Sequence, residues 1–149
     1  MPPSPRCAAL RIWAVRFAAL TVLLASAAHA EVILVTSADS SVETLNREDA
    51  EQLYLGRRSS LSGGSPLLLL DLPPGPVRDR FYRLLTGKNP SQIRAYWSRM
   101  VFTGRALPPR ESASIEDARR LLLENPGTVG YLPATFSTDP SLRILLRLE

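Results

Sequence analysis

The chain of 149 residues contains one cysteine, one histidine and one lysine. The cysteine, Cys7, and the histidine, His29, both fall within the first 30 residues, which have the layout of a secretory signal. Arg6, Arg11 and Arg16 form a positive flank, Phe17 to Ala28 an apolar run, and Ala28-His29-Ala30 a small-residue ending of the kind a signal peptidase reads. A run of about a dozen residues is short of the roughly 20 that a membrane-spanning helix needs. The expected mature chain starts at Glu31, so removing 30 of 149 residues leaves 119. Its expected location is the periplasm. Cys7 precedes the apolar run and therefore cannot become an acylated lipoprotein terminus. Without Cys or His, that mature chain has no thiolate nucleophile, no imidazole base, no Cys/His zinc site and no disulfide. No metal or cofactor is expected, and one hydrophobic core must hold a single domain together.

Strong charge of one sign is also missing. Of 18 basic residues, three leave with the signal, so 15 face 14 acidic ones and the net charge is +1. These charges are interspersed along the chain, which argues against a nucleic-acid stripe or a polybasic membrane patch. No catalytic pair is apparent. Glu111, Glu116 and Asp117 lie in or beside a helix start, where the dipole explains acidic residues. The mature serines have no histidine to activate them, Lys88 is the only lysine, and the chain reads as a non-enzyme.

What is present alternates between strand and helix signals. Glu31 to Thr36 is β-branched and apolar and opens into a Ser-rich loop, residues 37 to 41. Asn46 can cap a helix through Ala50, Leu53 and Tyr54 that stops at Gly56. After the Gly/Ser loop from Arg57 to Ser65, the run Pro66 to Asp71 reads as a central strand. Pro76 suits a first helical position, and Val77, Phe81, Leu84 and Leu85 form the apolar stripe before Gly87. Asn89-Pro90 opens another helix, with Ile93, Tyr96, Trp97, Met100 and Val101 on one stripe before Gly104. Arg105 to Ala113 reads as loop. Ser114 and Asp117 fit a capping box for a helix carrying Ile115, Ala118, Leu121 and Leu122. Thr128–Leu132 and Leu142–Leu148 read as strands. The order β-α-β-α-α-α-β-β implies an α/β fold, a mixed sheet flanked by helices.

Three segments resemble the phosphate-type periplasmic substrate-binding proteins of ABC transporters. Leu53-Tyr-Leu-Gly-Arg57 resembles their "IFLGK" segment. Tyr96-Trp97 with Phe102-Thr-Gly104 and Pro108-Pro109 resembles the short, single-lobe members, and Pro126-Gly-Thr-Val-Gly-Tyr131 resembles the "PGAIGY" segment. The resemblance spans Val32 to the end. It implies a single lobe of the type II periplasmic-binding-protein fold, with phosphate or a similar small oxyanion as ligand and an ABC transport system as partner. In the phosphate binders an Arg and a Ser-Gly-Thr element follow the central strand and open a helix whose N–H groups cradle the anion. Here the stretch reads Asp71-Leu-Pro-Pro-Gly-Pro-Val-Arg78. Asp71 repels an anion, Pro76 removes a donor, and no Ser or Thr is present.

Candidate ligand-binding residues follow from these two lines of reading. Arg78 and Arg80 lie in the first helical turn, where a guanidinium can replace the lost donors. A solvated helix face with Asp79 and Arg83 four apart is the plainer account. Ser37, Ser40 and Ser41 would present hydroxyls at the carboxyl end of a strand, where α/β sheets bind ligands, or would only solvate the loop. Arg57, with Arg58 beside Gly63-Gly64, makes a second basic loop that lacks a Walker pattern. Tyr96 and Trp97 fit core packing better than a stacking platform, and Gly127 and Gly130 fit backbone geometry. Two function classes stay open: a solute-binding protein for a small oxyanion, and an interaction module that docks on a membrane transporter or sensor. A homodimer that recreates a cleft is a third arrangement.

Overall fold

A computed structural model describes residues 31–61 and 64–149. The segment read as a signal, with Cys7 and His29, lies outside the described residues, as does Gly63. The elements run β1 (Val32–Ser37), α1 (Arg47–Tyr54), β2 (Leu68–Asp71), α2 (Pro76–Thr86), α3 (Pro90–Phe102), β3 (Arg110–Glu111), α4 (Ile115–Glu124), β4 (Thr128–Pro133) and β5 (Leu142–Leu148). They build one mixed sheet in the order β3-β2-β4-β1-β5. Strand β2 is parallel to β3 and β4, whereas β1 is antiparallel to both β4 and β5.

All six residues of β1 are buried. That accounts for the continuous apolar run Val32 to Val35, since a strand covered on both faces has no solvent side to mark with polar residues. The two covering layers meet β4 at adjacent positions. At Gly130 an added Cβ would stand 3.3 Å from Leu122 of α4, so glycine is there to let α4 approach the sheet. Its neighbour Tyr131 points to the other face, where its ring stacks on Phe81 of α2 with centroids 3.7 Å apart and planes 4° from parallel. Tyr54 of α1 meets both rings edge-on, and its hydroxyl donates to the Leu70 carbonyl at 3.0 Å. Helices α1 and α2 thus cover one face and α4 the other.

Local signals set the helix ends as the residue types require. Asn46 accepts from the Asp49 N–H at 2.7 Å, and Ser114 accepts from Asp117 N–H at 3.0 Å. Asn89 and Gln92 form a reciprocal capping box at α3. Pro76 and Pro90 open α2 and α3, and Gly87 closes α2 in the left-handed conformation. The Asp117 carboxylate reaches back to the N–H of Ala113 rather than of Ser114, so the expected capping box at α4 is displaced by one residue.

The structure corrects three expectations. Part of the stretch read as loop, Arg110–Glu111, is an edge strand paired with Leu70 and Asp71. Two exposed charged residues give neither alternation nor β propensity to detect. The run expected to be central, β2, is second from the edge, and its first residue, Leu68, is 42% exposed. In α3 the stripe holds at Ile93 and Trp97, but Val101 is exposed because the last turn runs beyond the layer it packs on.

Candidate functional site

The carboxyl ends of the parallel strands β2, β3 and β4 converge on Asp71. This residue closes β2 and is only 2% exposed, a position a carboxylate occupies only when its oxygens are satisfied. Tyr131 of β4 donates its hydroxyl to Oδ1, and Tyr82 of α2 donates to Oδ2 at 3.1 Å. The backbone N–H of Leu72 donates to Oδ1 at 3.0 Å, and the Arg78 guanidinium stands 3.0 Å from Oδ2. Four donors use the capacity of the two oxygens. The Asp71 carbonyl is clamped as well, accepting from both the N–H and the hydroxyl of Ser112 at 2.9 Å.

Burial dominates the electrostatics here. It pushes the Asp71 carboxyl above its ordinary pKa, opposed by the Tyr131 hydroxyl, the Arg78 charge, the Tyr82 hydroxyl and the Leu72 N–H. The same burial, reinforced by Asp71, holds the Tyr131 and Tyr82 hydroxyls far above the usual phenol range, so both remain donors. Burial works against the charge of Arg78, and Asp71, the two tyrosines and Glu111 more than offset it. Its pKa is raised and it is a permanent cation.

Arg78 is therefore more than a solvated helix residue. One nitrogen is anchored on Asp71, and Nη1 donates to Glu111 of β3 at 3.1 Å. Glu111 is 53% exposed at its side chain. Asp79 and Arg83, four apart on the same helix, form no ion pair among the described residues. Arg78 also lines a cavity of about 120 Å³ with Pro74, Asp79, Tyr82, Ile93 and Arg94. Arg94 reaches Ser91 at 3.0 Å and has no carboxylate partner among the described residues. The arrangement holds a guanidinium in fixed orientation in the lining of a small cavity that Arg94 and the Asp79 carboxylate also line.

The other expected site residues lie elsewhere. Ser37, Ser40 and Ser41 follow the carboxyl end of β1. Because β1 runs antiparallel to β4, that end is level with the start of β2 and β4: Thr36 pairs with Val129, and Leu68 with Thr128. Ser37 and Ser40 are buried, and their hydroxyls accept from the N–H groups of Asp39 and Val42. Arg143 binds the carbonyls of Ala38, Ser40 and Val42. Ser41 is exposed. Arg57 lies in a third place, an open groove beside the entry to β2. No single site unites Arg78 with the serines or with Arg57. Sequence reasoning missed Tyr82 and Tyr131 as donors to Asp71, Glu111 as a partner of Arg78, and Arg94 as its neighbour in the cavity lining. The one available signal was an Asp at the end of an apolar strand, which demands buried donors somewhere in the fold.

A mixed sheet with helices on both faces resembles a single lobe of the type II periplasmic-binding-protein fold. The solved structures that share it include two of note. One is a protein assigned as a phosphate ABC transporter substrate-binding protein, with bound phosphate, from Clostridium perfringens. The likeness has a TM-score of 0.59 at 16% identity and covers 78% of this chain and 45% of that one. The other is a possible phosphate-binding protein from Planctomyces limnophilus, with a TM-score of 0.56 at 13% identity, covering 78% of this chain and 41% of that one. The chain thus spans less than half the length of these proteins. No protein-family model and no curated protein matches its sequence.

Proposed function

We propose that this lobe is a non-enzymatic solute-binding protein that takes phosphate or a similar small oxyanion at the cavity between α2 and α3, for an ABC transport system in the periplasm. The observation that carries the reading is the pair Arg78 and Arg94 lining one cavity at the carboxyl end of the parallel strands. Asp71 orients Arg78 from behind, which leaves donors of the guanidinium fork for a ligand. Glu111 is a competitor on Nη1 that an incoming anion displaces. The phosphate bound by the Clostridium perfringens protein and its assignment to an ABC transporter support the ligand class and the partner.

Isothermal titration of the protein with phosphate, sulfate and molybdate tests this. Arg78→Ala should weaken binding by roughly ten- to a hundredfold, since a charge-assisted hydrogen bond contributes about 1.5–3 kcal/mol. Glu111→Gln should tighten it by freeing Nη1. No heat from any of the three anions in the wild type refutes the reading. The pairing of Arg78 with two carboxylates favours the second reading, in which the lobe binds no solute and docks on a membrane transporter or sensor.

A further inference from the structure

Four large apolar side chains are exposed among the described residues, and all four border one region: Leu68 at 42%, Val101 at 47%, Phe102 at 93% and Leu107 at 80%. Val101 and Phe102 form the end of α3, Leu107 lies in the loop that follows, and Leu68 opens β2. Two open grooves meet there, because Pro108 lines both. One, of about 590 Å³, carries Leu68 and Leu107 together with Arg57, Arg58, Arg105 and Arg110. The other, of about 610 Å³, carries Val101 and Phe102 with Trp97, Arg94 and Arg78.

Their charge is one-sided. Arg58 pairs with Asp49, whereas Arg57, Arg105 and Arg110 have no ion-pair partner among the described residues, and neither groove is lined by an acidic residue. Exposed large apolar groups concentrated in one patch are unusual on a monomer surface and mark contact sites. Arginine with aromatic and aliphatic anchors is the composition of protein interfaces. The grooves are too open for a lone phosphate, and Phe102 and Leu107 offer nothing to a polyphosphate or a nucleic-acid backbone.

The geometry points to a docking surface, formed by the end of α3, the loop through Leu107 and Pro108 and the entry of β2, for an acidic protein segment that inserts apolar side chains beside the arginines. Its carboxylates pair with Arg57, Arg105 and Arg110, and its apolar residues cover Phe102 and Leu107. The groove of Phe102 reaches Arg78 and Arg94 of the oxyanion cavity, whereas Arg57, Arg105 and Arg110 lie off it.

The test is selection from a random peptide library on the immobilised, purified protein, followed by affinity measurement of the selected peptides. Selected sequences should combine Asp or Glu with Leu or Phe. Their affinity should fall about tenfold or more in Phe102→Ser, as for an interface anchor. In an Arg57→Ala, Arg105→Ala double variant it should fall by a similar factor and lose most of its dependence on salt. All these positions are exposed, so melting temperature should hold, and phosphate titration of the arginine variant, whose changed residues lie off the cavity of Arg78, should match the wild type. No selected binder, or binders without acidic residues or indifferent to Phe102→Ser, overturns the proposal. So does dimerisation in sedimentation that Phe102→Ser abolishes, because a second copy would then cover the surface. Polyphosphate or anionic vesicles binding with the arginine dependence alone would overturn it as well.

Discussion

Tyr131→Phe removes one oxygen atom from the centre of the protein and little else. The ring remains stacked on Phe81, so the packing on that face of the sheet is kept. The lost hydroxyl donates to Asp71 and accepts from the Leu72 N–H at 3.2 Å. A hydrogen bond to an ionised group contributes about 1.5–3 kcal/mol, and a bond between neutral groups about half that. The cost should therefore depend on whether Asp71 is charged. Burial raises its pKa, and Tyr131 counters that by stabilising the carboxylate. The sign follows: a carboxyl with a raised folded-state pKa contributes stability fully below its ordinary value of about 4 and loses it as the pH climbs through the raised one. Without Tyr131 that pKa climbs further and the loss at neutral pH is larger. Tyr131→Phe should lower the melting temperature by roughly 5–15 °C at pH 7 and by about half as much near pH 4, given the usual relation of free energy to melting shift. Circular dichroism across that range measures both. An equal shift at the two pH values would show that Tyr131 does not interact with a charged Asp71, and no shift at either would refute the buried network. A double-mutant cycle with Asp71→Asn should return a coupling of about 1 kcal/mol or more.

Other perturbations have separate readouts. Trp97, 7% exposed in α3, should cost about 3–5 kcal/mol as Trp97→Ala, read by urea unfolding; unchanged stability would revive a stacking role for it. Gly56 sits at φ +65° with a would-be Cβ 2.8 Å from Ala106 and 3.0 Å from Trp97. Gly56→Ala should therefore destabilise by about 1–3 kcal/mol through both strain and overpacking. Arg119 and Ser141 hold the Asp139 carboxyl down to about 2. Its contribution is present above about pH 4 and lost as the pH falls through 2, so Asp139→Asn should flatten the acid limb of a melting curve against pH. Mass spectrometry of exported protein should find Glu31 at the N-terminus if the first 30 residues are a cleaved signal, and intact protein held in a membrane fraction would refute that.

The sequence by itself determined nearly every element. Apolar periodicity located α2, α3 and α4, the side chains of Asn46, Asn89 and Ser114 marked where helices begin, and glycines marked where α1 and α2 end. These signals are legible because each depends on residues within a turn or two of one another. The mixed sheet followed from the alternation of strand and helix, and the three family-like segments pointed to the fold that these solved structures share. Strand direction was not legible. That β1 runs against β4 depends on pairings between residues about a hundred positions apart, and this alone sends Ser37 to the end of the sheet away from Arg78. The partners of Asp71 were equally hidden, because Tyr82, Tyr131 and Arg78 come from two elements that meet only when α2 packs on the sheet. Charges that are scattered along the chain likewise gather in space: Arg57 follows α1 while Arg105 and Arg110 follow α3, and only the fold lays them along one groove. Propensity and periodicity act over a few residues, so they decide the pieces; burial and pairing act across the whole chain, so they decide which side chains share a site.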